Sequence, residues 1–264
     1  MKLINPFYLL VFLSLILNLS CNENSKESTD NFIDETLTNF NLGDSSVTFI
    51  TYTAGNKKII YFNIHDDENT AVEAAKQILG KTESKFIEIQ QSGNRLISFN
   101  IDTSIYRFDP NRIFTPLGRK KTLERYSKFS QEADSVVKLF AGFITDSLLN
   151  EATIVVTLHN NSPDNYSILS YAKGGEYETD AADINVNSEQ DPDDFFYVTE
   201  KFYFDKIKEK GYNVLLQDNN KVTDDGSLSV YCGSRGIKYI NVEAEQGHLK
   251  QQVEMILALK DILK

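Results

Sequence analysis

The chain reads as an α/β protein, a single domain with a central mixed, mostly parallel sheet flanked by helices. Three observations lead there. Short runs rich in β-branched and aromatic residues alternate with segments of helical periodicity over most of the length. The run Thr153-Ile154-Val155-Val156-Thr157-Leu158 is continuously apolar or β-branched, as expected of a strand covered on both faces. The chain has 264 residues, 41% of them hydrophobic, with 13 Tyr and 17 Phe, which suffices for one sizeable core plus a targeting segment.

The elements follow in order. Val47 to Thr53 reads as a strand, and Gly55-Asn56-Lys57 turns it into a second one over 59–64, a hairpin pattern. Residues 69–79 have helical periodicity and stop at Gly80. Lys85 to Gln90 and Arg95 to Ile101 read as strands. Residues 117–149 are helical in pattern, with a break expected near Gly142. The buried strand 153–158 comes next. Residues 174–194, rich in Gly, Asp, Asn and Glu, read as a long surface loop. A helix near 198–210, strands at 213–217 and 238–242, and a closing helix from His248 to Leu263 complete the chain. There is no internal repeat.

The first 21 residues stand apart. Lys2 supplies a short positive start, and Phe7 to Leu17 is about the length of a signal-peptide core, too short to span a bilayer comfortably. The stretch ends Leu17-Asn18-Leu19-Ser20-Cys21, which resembles a bacterial lipoprotein signal with Cys21 as the lipidated residue, apart from Asn18 where an aliphatic residue is usual. An ordinary secretory signal is the alternative. Residues 22–44 are expected as a flexible tether, since the stretch after Cys21 is polar and without apolar periodicity. The folded domain is then 45–264. The expected location is the bacterial cell envelope, with the membrane reached through the lipid on Cys21. Of the two cysteines, Cys232 would be left alone, a small core residue with no disulfide partner.

Charge narrows the partners. Net charge is −11. One lysine and no acid lie in the first 21 residues, leaving 26 basic against 38 acidic side chains. Nucleic acid is not expected as a partner, because phosphate binding needs a basic surface.

The chemistry starts at His65-Asp66-Asp67-Glu68. The apolar run Ile59 to Ile64 ends on a histidine, and a glutamate follows three residues later where a helix begins. A histidine and a glutamate so placed can grip one metal ion. A lone H-x-x-E is a common spacing, and an Asp-Asp-Glu run is usually a solvated face. The chain has only three histidines, however, and His159 directly follows the second buried strand. Ligands in open α/β sheets gather at the carboxyl ends of strands. His65, Glu68 and His159 therefore form a candidate zinc set, three protein ligands with a fourth position for water. His248 opens the last helix and reads as a capping or surface residue.

Taken in order, His65-x-x-Glu68, Asn111-Arg112, His159 and a late glutamate resemble the zinc carboxypeptidase superfamily, including its succinylglutamate desuccinylase and aspartoacylase branch. The resemblance spans about residues 47–245. It implies one Zn²⁺ held by His65, Glu68 and His159. It implies substrate-binding roles for Asn111 and Arg112 in Arg107-Phe108-Asp109-Pro110-Asn111-Arg112. It also implies that Glu243, in Tyr239-Ile240-Asn241-Val242-Glu243, is the general base, with Glu245 as the competing residue. A planar guanidinium at Arg112 suits a terminal carboxylate. A second arginine would polarise the scissile carbonyl, Arg107 being preferred to Arg95 for its place beside Asn111-Arg112. An active-site tyrosine has three candidates, Tyr231, Tyr197 and Tyr171.

Asp66 and Asp67 depart from the family, which often has glycine after the first histidine. They would either make the pocket more negative or orient His65 or His159. Thr157-Leu158-His159 lacks the aspartate two places before the histidine that the deacylase branch tends to show, which leans towards a peptidase. The expected function is a zinc-dependent hydrolase cleaving an amide bond next to a free carboxylate, foremost a carboxypeptidase acting on peptides in the cell envelope. The alternatives are a non-catalytic envelope lipoprotein that binds peptides or a partner, and a deacylase of N-acyl amino acids.

Overall fold

The structure, a computed structural model, describes residues 33–55, 58–163 and 166–263. The strands in chain order are β1 (Ile33–Leu42), β2 (Ser45–Ala54), β3 (Ile59–Asn63), β4 (Lys85–Gln90), β5 (Ile97–Ile101), β6 (Ser104–Phe108), β7 (Ile154–Asn161), β8 (Ala181–Asn185), β9 (Phe195–Val198), β10 (Val214–Gln217) and β11 (Tyr239–Glu245). The α-helices are α1 (Asn69–Thr82), α2 (Pro116–Tyr126), α3 (Gln131–Phe143), α4 (Lys201–Glu209), α5 (Leu228–Arg235) and α6 (Leu249–Leu259). Nine strands form one sheet in the order β1-β2-β4-β3-β7-β11-β9-β10-β8, and β5 and β6 form a small separate ribbon.

The expectation of a mostly parallel sheet is corrected here. Of the eight pairings, β4–β3, β3–β7, β7–β11 and β9–β10 are parallel, whereas β1–β2, β2–β4, β11–β9 and β10–β8 are antiparallel. The apolar runs that signal burial on both faces belong to the central strands, and there the pairing is parallel from β4 through β11, with β9–β10 the remaining parallel pair. Both edges are antiparallel, and β9 runs against β11.

The hairpin expected around Gly55 is also replaced. β4 lies between β2 and β3, so Phe49 faces Ile89 of β4 and Phe62 pairs with Ile87 of the same strand. The true hairpin is β1–β2, turning at Gly43 with φ +61. β1 occupies residues expected as tether, and residues 22–32 of that segment, together with Cys21, lie outside the described residues. β1 is exposed almost throughout. An edge strand needs backbone pairing and no apolar face, so periodicity does not announce it.

The sheet separates two apolar layers. On one face Ile154, Val156 and Leu158 of β7 pack with Ile240 and Val242 of β11 against α1, α4 and α6. α1 turns Ala71, Ala74, Ala75, Ile78 and Leu79 to this layer at helical spacing. It runs two residues past the expected Gly80 and stops where Glu83 turns left-handed at φ 50. On the other face Val155, Tyr239, Phe62 and Ile64 pack with α2, α3, α5 and the β5–β6 ribbon. The 117–149 segment breaks at Ser127–Ser130, where the Ser130 hydroxyl caps the Ala133 amide, and near Gly142 it only slackens into a π turn over 144–148. The expected 174–194 loop contains the edge strand β8. Among the described residues no helix is long and apolar enough to cross a membrane.

Candidate metal centre and active site

β7 continues three residues past the expected end, so His159 lies inside it. Alternation along the strand puts Val155, Thr157 and His159 on one face, and Ile154, Val156 and Leu158 on the other. β11 lies alongside in parallel, with Thr157 opposite Asn241 and His159 opposite Glu243. Glu243 thus rises from the same face as His159, one strand over. His65 follows β3, the other neighbour of β7, and Glu68 closes the turn into α1, its amide donating to the His65 carbonyl. Asn160, on the opposite face of β7, accepts from the Ala71 amide and locks the start of α1 against that strand.

The three expected ligands converge. His65 Nδ1 and His159 Nδ1 lie 3.2 Å apart. Each is 2.9 Å from a carboxylate oxygen of Glu68, His65 from Oε1 and His159 from Oε2. A tetrahedral ion with bonds of about 2.0–2.1 Å would hold its donor atoms roughly 3.3 Å apart, and the spacing here is close to that. Two nitrogens and a carboxylate, all buried and aimed at one point, suit a divalent metal.

The outer nitrogens are held as well. His65 Nε2 lies 2.9 Å from Asp109 Oδ1, and His159 Nε2 lies 3.4 Å from Asn111 Nδ2. The Asp109 carboxylate accepts from His65 Nε2 and so leaves Nδ1 of that ring its lone pair, whereas Asn111 Nδ2 can only donate, its Oδ1 being taken by the Leu228 amide, and positions the His159 ring without fixing that tautomer. The same Asp109 oxygen accepts from the Asn111 amide and caps the 3-10 turn Pro110–Arg112. Asp109 is the main site residue absent from the sequence reading. Its signal lay inside the quoted segment, two places before Asn111.

Charge is balanced within the buried cluster. Burial works against charge on His65, but Glu68 and Asp109 outweigh it and hold the metal-free imidazolium up to about 9. Burial likewise opposes charge on Glu68 and Asp109, yet the two histidines hold Glu68 well below the usual carboxylate range, and His65 and Arg95 do the same for Asp109. Arg95 Nη1 donates to Glu68 Oε1 at 2.9 Å, and its Nε is 3.4 Å from Asp109 Oδ2. Glu243 behaves differently: burial raises its pKa, and Asn241 Nδ2 donates to its Oε2 at 3.0 Å.

The two arginine candidates are placed differently. Arg107 is exposed on β6, where its backbone exchanges hydrogen bonds with the Ser127 hydroxyl. Among the described residues no hydrogen bond or ion pair joins its side chain to the cluster. Arg95 touches two members of it. Asn111 and Arg112 both line the site: Asn111 reaches His159, and Arg112 Nη1 donates to the Asn111 carbonyl. Glu245, the competing base, turns towards His248, with 3.7 Å between Oε2 and Nε2.

Asp66 neither meets the histidines nor faces the donors. Its Oδ2 accepts from the backbone amides of Gln91, Ser92 and Gly93 at 2.7, 2.8 and 2.6 Å. It clamps the β4–β5 loop that carries Arg95, and the Gln91 side chain ties that loop to Ser98. Asp67 is exposed.

Of the tyrosines, Tyr171 and Tyr197 belong to an aromatic group with Tyr166 and Tyr177. The Tyr166 and Tyr171 hydroxyls are 2.7 Å apart, and burial, reinforced by Glu243, raises both well above the usual phenol range. Tyr231 instead stacks under Arg235, whose guanidinium is 3.9 Å from the ring centre.

No family model and no curated protein matches the chain. Among solved structures it is similar to a succinylglutamate desuccinylase/aspartoacylase from Rhodobacter sphaeroides, at 13% identity and a TM-score of 0.46, covering 87% of this chain and 65% of that one. It is similar to the murein-tripeptide amidase MpaA from Escherichia coli O157, at 13% identity and a TM-score of 0.45, over 85% and 90% of the two chains. The product-bound ectoine utilization protein EutE (DoeB) from Ruegeria pomeroyi is similar at 12% identity and a TM-score of 0.49, over 86% and 66%. The chain spans just under two thirds of the first and third of these.

Proposed function

We propose that this protein is a zinc-dependent hydrolase that cleaves an amide bond next to a free carboxylate, foremost a carboxypeptidase acting on peptides. The observation that carries this is the convergence of His65 Nδ1, His159 Nδ1 and the Glu68 carboxylate on one point, with Glu243 in register beside His159 on the same sheet face. These three residues would hold zinc. When bound, zinc supplies a Lewis acid that brings the pKa of a water down to about 7.

The chain's own residues do the rest. Asp109 and Asn111 orient the two imidazoles from outside. Glu243, with Oε2 held by Asn241, takes a proton from the attacking water and delivers it to the leaving nitrogen. Its raised pKa makes it a better base than a solvated carboxylate. Arg112 binds the substrate's free carboxylate, and Arg95 polarises the scissile carbonyl. For the first 21 residues we propose export to the cell envelope and lipid attachment at Cys21, which acyl labelling of wild type against Cys21→Ala tests.

The decisive experiment is turnover by zinc-loaded protein on a panel of peptides and N-acyl amino acids. Glu243→Gln is expected to keep its zinc and lose at least about a hundredfold in rate. Unchanged turnover in that variant removes Glu243 from the mechanism. Preference for N-acyl amino acids over peptides would select the deacylase.

A further inference from the structure

Glu243 ends a row of polar side chains on the site face of the sheet. Tyr239, Asn241 and Glu243 alternate along β11, so all three rise from the face that carries His159. Parallel pairing sets Asn241 opposite Thr157 of β7. Tyr239, Thr157, Asn241 and Glu243 are all buried. Hydrogen bonds join them end to end. The Tyr239 and Thr157 hydroxyls are 2.6 Å apart, Thr157 Oγ1 donates to Asn241 Oδ1 at 3.3 Å, and Asn241 Nδ2 donates to Glu243 Oε2 at 3.0 Å.

The carboxylate sets the direction of every bond in this row. An ionised Glu243 can only accept, so Asn241 must turn its NH2 group towards it. The Asn241 oxygen then faces Thr157 and needs a donor. Thr157 has one hydroxyl proton, and it goes to that oxygen. The Tyr239 hydroxyl must therefore donate to Thr157 Oγ1. A flipped Asn241 would set its oxygen against the Glu243 carboxylate, acceptor against acceptor, in a place closed to water, where a lost hydrogen bond is costly. The pull of Glu243 on the amide is weakest while the carboxyl carries a proton, midway through turnover. At that stage the Thr157 hydroxyl keeps Asn241 oriented. Among the described residues no hydrogen bond holds Glu243 Oε1.

Resting on the hydrolase reading for its chemistry, we infer that Asn241, Thr157 and Tyr239 are positioning residues that hold Glu243 in one orientation. Oε2 stays bound to Asn241 throughout. Oε1 takes the proton from the attacking water and returns it to the leaving nitrogen.

Two substitutions at Thr157 separate this role from packing. Thr157→Val keeps the shape and removes the hydroxyl, whereas Thr157→Ser keeps the hydroxyl and removes a methyl group. In the zinc-loaded full-length chain, Thr157→Val is expected to lower kcat about threefold and Asn241→Ala about tenfold, with KM and zinc content unchanged. Thr157→Ser should stay closer to wild type than Thr157→Val. A packing role predicts the opposite order, because a lost methyl leaves a gap in a buried face. The Asn241 side-chain amide protons give a second reading that needs no turnover. Heteronuclear NMR should show them exchanging with solvent at least about tenfold faster in Thr157→Val than in wild type. Unchanged exchange overturns the inference, and so does a Thr157→Ser protein that turns over more slowly than Thr157→Val. The Thr157 pair decides the matter even should Asn241→Ala not fold. Absence of wild-type turnover sinks the hydrolase reading, whereas exchange at Asn241 still decides the hold on Glu243, so each idea can fail alone.

Discussion

Two clusters of histidine and carboxylate stand at the carboxyl ends of the central strands, and they differ in kind. His65, Glu68 and His159 are buried, and their donor atoms face one another. Asp191, Glu245 and His248 also bring donor atoms within 4.8 Å of one another, but on the rim, with Asp191 exposed. In the buried cluster the outer nitrogens point to Asp109 and Asn111, and both Nδ1 atoms turn to the same Glu68 carboxylate. In the rim cluster His248 Nδ1 already lies 3.1 Å from Asp194, which also accepts from the Glu245 amide. Proximity of ligand atoms is thus a weak criterion. What separates a candidate metal centre from a structural ion pair is where the remaining hydrogen-bonding capacity goes.

The sharpest way to break this contrast is metal stoichiometry. Wild type is expected to hold one zinc per chain, His65→Ala none, and His248→Ala still one, by elemental analysis. A His65→Ala protein that retains stoichiometric zinc would sink the buried ligand set. Next in size, Asp109→Ala should weaken metal affinity by roughly 10–100-fold while leaving the three ligands in place, the usual cost of removing such an outer partner; competition with a chelator measures it. A smaller effect is expected at Asp66. Asp66→Ala should lower kcat about tenfold by loosening the loop that carries Arg95, whereas Asp66→Asn, which keeps an acceptor, should lose less. Faster hydrogen exchange at the amides of residues 91–93 would accompany the loss, and unchanged exchange would reject the clamp.

The smallest effect is on the rim. Burial works against charge on His248, but the hydrogen bond and charge of Asp194, with Glu245, outweigh it and raise its pKa. A histidine whose folded pKa lies above its unfolded value of about 6.5 contributes stability below that pH and loses it as pH rises through the folded value. His248→Ala should therefore be destabilised most in mildly acidic buffer, by less than about 1 kcal/mol for a pair so open to solvent, and match wild type in alkaline buffer. Thermal unfolding of both across pH reads this out.

Much of this could be seen in the chain alone. The apolar runs of β3, β7 and β11 mark the central strands, and the alanine spacing of α1 marks its buried face, because each signal is local. His65, Glu68 and His159 stood out because histidines are scarce and two of them end up near strand termini. β1 went unseen, since an exposed edge strand has no apolar face to betray it. Asp109 went unseen because its hydrogen bond to His65 crosses 44 positions. The partners of Asp66 are not legible either, since nothing in its neighbourhood shows that its oxygen meets the turn after β4.

The type of most apolar elements and the candidate ligand residues are therefore legible in the sequence, because periodicity and spacing act over a few residues. Which strands pair, which way β9 runs, and which arginine reaches Glu68 are decided only in three dimensions. So is the meeting of Thr157 with Asn241. The reason is that these depend on sheet register and loop anchoring, where a shift of one residue would turn His159 and Glu243 to the opposite face.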